Sequence, residues 1–180
     1  MVMAGIFSDT FWYRLIKEFD SVGDIRSPRS IAVIGHLMTE IALNDVIDRY
    51  AELLPKRLIN QGFDKKVIAL CKKEIIYEDT RSNLITIDRL RNAYAHIRNP
   101  EDLDPRQETI EGLLKQISQR RPKKDNSSLP LSHRIQNAIL DVLLDHLQED
   151  VAEFEDVQRL VRENTLGLDG LQKDINLHKP

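Results

Sequence analysis

Arg91, Asn92 and His96 fall within about a turn and a half of one predicted helix, in the run Arg91-Asn92-Ala93-Tyr94-Ala95-His96. Arg grips phosphate oxygens through a planar fork of donors, and imidazole is the side chain that moves protons near neutral pH without help. An Arg and a His this close, with no metal-ligand cluster beside them, form the minimum kit for cutting RNA without a metal. The same residues have a plain structural reading. Asp88 stands three residues before Arg91 and can pair with it along the helix, for a few tenths of a kcal/mol. His96, near the helix end, can meet the last carbonyls and the negative end of the dipole.

The element that must position these groups runs from about Asp79-Thr80 into His96, before Asn99-Pro100 forces a turn. At roughly 100° per residue, Leu84, Ile87, Leu90 and Tyr94 share one face, which is expected to meet the core. Asp88, Asn92 and His96 form a polar stripe one turn apart. Arg91 lies on the apolar side of that stripe, so its stem is expected to be covered and its head to need a carboxylate or a phosphate.

Five further segments carry helical spacing. Ser8 and Asp9 are candidate caps of a short helix to about Phe19, ended by the turn at Gly23. Its Phe11, Trp12 and Tyr13 could cap the core or contact a second copy. Ser27-Pro28 opens a long second helix carrying Ile31, Ile34, Leu37, Met38, Ile41, Val46 and Ile47, kinked or ended at Pro55. Phe63, Val67, Leu70 and Cys71 mark a third, and Asp104-Pro105 a start for a helix through Ile117. The last, long helix begins near Ser132 and carries Ile135, Ile139, Val142, Leu143, Leu147, Val151, Phe154, Val157 and Val161. The expected fold is an all-α bundle of about five or six helices with a long second and a long C-terminal helix. Residues 1–166 form a single domain, and 167–180 a flexible tail.

Composition agrees. The chain has 180 residues, 31% of them charged, with only seven Gly and seven Pro, which favours long charge-laced helices. A net charge of −3 argues against a wholly basic nucleic-acid coat but permits a local patch. The one cysteine, Cys71, cannot close an intrachain disulfide, so a reducing compartment is the default. No stretch approaches the roughly 18 apolar residues of a membrane span, and no signal peptide is evident, so the expectation is a cytoplasmic protein without a membrane partner. No His-x-x-x-His pair, Cys/His cluster or Walker-type glycine loop is present, so neither metal nor cofactor is expected.

Other charged groups are secondary candidates. Glu40, Asn44 and Asp48 repeat every four residues on the second helix; Glu40 could fix Arg91 across the bundle, or the stripe is a solvated face. Arg120, Arg121, Lys123 and Lys124 lie in a polar loop that could add salt-dependent attraction to an RNA backbone or serve only solubility. His36, among Ile34, Leu37 and Met38, reads as a packed or edge histidine.

Arg91-Asn92 followed by Ala95-His96 at the end of a helix resembles the Arg-x(4–6)-His motif of the HEPN superfamily, whose members often place a polar residue directly after the Arg. Phe63-Asp64-Lys65-Lys66, Leu70, Ile75-Ile76, Leu84, Ile87 and Leu90 extend the likeness, from roughly Ser27 to Ile117, towards mannitol operon repressor-like proteins. In nucleolytic members the motif cuts RNA by attack of a 2′-hydroxyl on the adjacent phosphate. The resemblance then implies His96 as general base or acid, Arg91 neutralising the phosphorane, and Asn92 orienting the imidazole. One motif supplies one imidazole, so a homodimer that joins two motifs would complete the site, in a toxin or defence setting with an antitoxin as partner. Other members are regulatory modules without catalysis. There Arg91 would be a structural anchor and the dimer surface would bind a regulatory protein partner.

Overall fold

The computed structural model describes residues 9–21, 27–95, 107–121 and 126–177, with side chains from 13 to 163 within those ranges. The chain is an all-α bundle: among the described residues there are six helical rods and no strand. The first five are α1 (Asp9–Ser21), α2 (Pro28–Arg49), α3 (Phe63–Lys72), α4 (Glu78–Ala95) and α5 (Gln107–Gln116). The sixth rod starts as α6 (Leu131–Asp141), widens into a π turn (Val142–Gln148) and continues as α7 (Glu149–Leu177). The predicted turns at Gly23 and Asn99-Pro100 and the helix start at Asp104-Pro105 lie outside the described residues.

α2 is the central helix and packs on α1, α3, α4 and α6. Its start follows the local chemistry: the Ser27 hydroxyl accepts from the Ser30 amide at 3.3 Å, and Pro28 fills the first turn. By length and composition it alone among the described residues could cross a membrane. Its buried Ile31, Ala32, Leu43, Val46 and Ile47 instead join the bundle core. Gly35 lets α6 come close, because an added Cβ there would sit 2.3 Å from the Ile139 Cδ1. The helix ends at Arg49 rather than running to Pro55. Tyr50 closes it, and its hydroxyl donates to Glu155 on α7 at 2.6 Å.

The predicted core face of α4 is the observed one: Leu84, Ile87, Leu90 and Tyr94 are all buried. On the last rod, residues from Ile135 to Val151 are buried at the expected spacing, but Val157 and Val161 emerge into solvent. The backbone also stays helical past Gly167, as far as Leu177, where a tail is expected.

Candidate functional site

The polar stripe of α4 is joined into a relay. Arg91 donates from Nη1 to the Asn92 Oδ1 at 2.7 Å, and Asn92 donates from Nδ2 to the Asp88 Oδ2 at 2.8 Å. The other Asp88 oxygen lies 2.9 Å from the His36 Nε2 on α2. The four residues are half-buried at the seam of α2 and α4. The His36 ring lies 4.7 Å from that of Phe63 at the start of α3, tilted by 37°. The His36 contact, with Arg91 and Asn92 adding, holds the Asp88 carboxyl below its usual range against the pull of partial burial. Asp88 therefore stays ionised and partly neutralises Arg91.

Glu40 does not fix Arg91. It binds the Lys66 ammonium of α3 at 2.8 Å instead. Lys66 is only 2% exposed, and a buried ammonium needs a carboxylate close at hand, so Glu40 is committed to it. His96 lies outside the described residues, as do Lys123 and Lys124.

Arg120 is not a solvated loop cation. It grips Asp79 with two bonds of 2.9 Å, meets Asp150 at 2.6 Å and donates to the Thr80 hydroxyl at 3.0 Å. Asp150 in turn accepts from the Tyr77 amide at 2.7 Å, pinning the start of α4 to α7. Nη1 of Arg120 also reaches the Asp145 and His146 carbonyls of the π turn, each at 3.4 Å. Arg121 pairs with Glu149. Arg120 thus serves the fold, whereas Arg121 remains a largely exposed cation with a surface ion pair.

The sequence gives no hint of the knot beside them. Asn83, fully buried, accepts from the Ser118 amide at 2.9 Å and donates to the Ser118 carbonyl at 3.2 Å, as a strand partner would. His146 packs against it, with Nε2 3.1 Å from the Ser118 carbonyl oxygen and Nδ1 3.3 Å from Asp79. Burial pushes the His146 imidazole below its ordinary value, and the charge of Arg120 adds to this. This histidine is a neutral strut.

A further basic surface lies elsewhere among the described residues. Lys56, Lys65, Lys72 and Lys73 rim an open pocket of about 480 Å³ floored by Leu58 and Ile68. Only folding gathers them, since two of the lysines lie on α3 and the others flank it. Burial and a contact to Glu78 push the Cys71 thiol up, so it stays protonated and unreactive. Among the described residues no cluster of His, Cys, Asp and Glu could hold a metal ion. No family model, curated protein or solved structure matches the chain.

Proposed function

We propose that this chain is a HEPN-like helical domain acting as a non-catalytic regulatory, protein-interaction module, resembling mannitol operon repressor-like proteins. One observation carries the reading: the guanidinium of Arg91 is turned onto Asn92 and sits in the field of an ionised Asp88. A carboxylate held ionised beside the arginine repels a phosphate and weakens the one cation the cleavage chemistry requires. The adjoining surface of α2 is apolar, with Val33, Leu37 and Ile41 exposed on the turns that carry His36 and Glu40. An apolar strip rimmed by polar groups suits a protein partner better than a nucleic-acid backbone. In this reading Arg91 anchors α4, and the chain works in a cytoplasmic setting.

A metal-independent endoribonuclease is the second reading, and the His36–Asp88 pair favours it. That pair adds an imidazole to the network of Arg91 and Asn92, beyond the one the motif supplies. Incubation of a labelled mixed-sequence RNA in EDTA with the wild-type chain, Arg91→Ala and His96→Ala separates the two. The regulatory reading expects no cutting by any of them, and a melting temperature for Arg91→Ala lowered by a few degrees. Cutting by the wild type that both folded variants lose would overturn it in favour of the nuclease.

A further inference from the structure

We infer that α7 is a self-association helix: beyond the bundle it pairs with the α7 of a second copy of this chain as a short coiled coil. The inference does not rest on the HEPN-like reading, because it requires nothing of Arg91, Asn92 or His96.

Two observations meet on this helix. The first is structural. From Leu143 to Val151 the inward face of the last rod is buried in the bundle, yet three apolar side chains about two to three turns further on stand in water. Val157 is 51% exposed, and Leu160 and Val161 are each 55% exposed. The backbone does not stop there but remains helical to Leu177.

The second is the spacing. Phe154, Val157, Val161, Asn164, Leu168, Leu171 and Ile175 follow one another at steps of three and four without a break, which is three heptads. A seam of this period drifts by about 20° per heptad on a straight helix, and a left-handed supercoil keeps it facing a partner. Residues 154 to 175 span about 33 Å of helix.

The seam's one polar member, Asn164, argues for a second copy over an unrelated partner. An amide carries both donors and an acceptor, so facing its own mate satisfies it, at some cost in stability and with a gain in register. Phe154 already packs on Tyr50 within the bundle, so the contact rests on the five apolar seam residues beyond it and on Leu160; burying roughly 100 Å² apiece on each chain, they would remove about 1,200 Å² from water. That is the lower edge of a stable interface.

Sedimentation equilibrium of the full chain tests this. The wild type is expected to be a dimer at tens of micromolar. Val157→Asp with Val161→Asp should be a monomer of unchanged helix content, since both side chains are exposed. Val157→Leu with Val161→Leu keeps the seam apolar and should remain a dimer. Val33→Asp with Leu37→Asp, on the exposed face of α2, should also remain a dimer. A monomeric wild type, a dimer that survives the two aspartates, or a dimer broken only by the α2 pair would each overturn the inference. A monomeric wild type would also remove the dimer that completes a two-motif cleavage site; the other outcomes do not bear on whether the chain cuts RNA.

Discussion

Asp88 is where the chemistry of the candidate site concentrates, because among the described residues of the α4 stripe it is the one that reaches α2, at His36. Asp88→Asn keeps the size and an acceptor but removes the charge that faces His36 and Arg91, and it should cost about 1–2 kcal/mol. The pH dependence has a definite sign. The carboxyl is held below its usual range when folded, so the unfolded chain takes up a proton first as the solution is acidified. Its contribution is complete above about pH 4 and is lost as pH falls through the folded value. Melting temperatures of wild type and Asp88→Asn should therefore converge under acid; parallel curves would show that Asp88 stabilises nothing by its charge. His146 obeys the same linkage in another window. Its folded value is lowered, so its contribution is whole above about 6.5 and declines as pH drops below that. His146→Gln should flatten the fall of melting temperature just below pH 6.5, and an unchanged slope would assign it to other groups. Much of this scale is legible in the sequence: the Asp88–Asn92 spacing places the two on one stripe, and they are bonded. His36 is not legible as the partner, since a histidine among Ile34, Leu37 and Met38 carries no sign of which helix will face it.

Helix by helix, legibility follows how local the cause is. The Ser27-Pro28 start of α2 needs only residues a turn apart and appears where the sequence puts it. The end of α2 falls at Tyr50, whose hydroxyl bonds Glu155 more than a hundred residues away, a contact that local pattern misses. Gly35 is a similar case: nothing nearby explains a glycine inside a long apolar helix, which costs about 1 kcal/mol against alanine. Its reason is the close approach of Ile139 and Phe19. Two effects oppose each other in Gly35→Ala, the gain in helix propensity and the overpacking of a contact at 2.3 Å. Ile139 is fully buried and has little room to yield, so overpacking, at about 1–3 kcal/mol, should win and leave a net loss near 1 kcal/mol. Urea denaturation measures it; a stabilised variant would mean that α6 can move away freely.

Across the whole molecule, the Arg120 knot decides whether the parts melt together. Arg120 belongs to the segment after α5, Asp79 to α4, Asp150 to α7, and the Asp145 and His146 carbonyls to the π turn, so one side chain joins four stretches of chain. A buried ion pair adds little over a well-packed apolar substitute, but breaking one side of it is costly because the remaining charge stays out of water. Asp150 is the exposed flank of that argument only in name: its side chain is 1% accessible. Arg120→Met should therefore cost about 3 kcal/mol or more and lower the melting temperature of the whole bundle as one transition. Adding Asp150→Asn removes the stranded charge while keeping an acceptor for the Tyr77 amide, so the double variant should be more stable than Arg120→Met alone. Chemical denaturation of the two variants and the wild type decides it. If the double variant were no better than the single one, the cost of losing Arg120 would lie in its packing and its bonds to Asp79 and Thr80, and Asp150 would not be the charge that the arginine is there to neutralise.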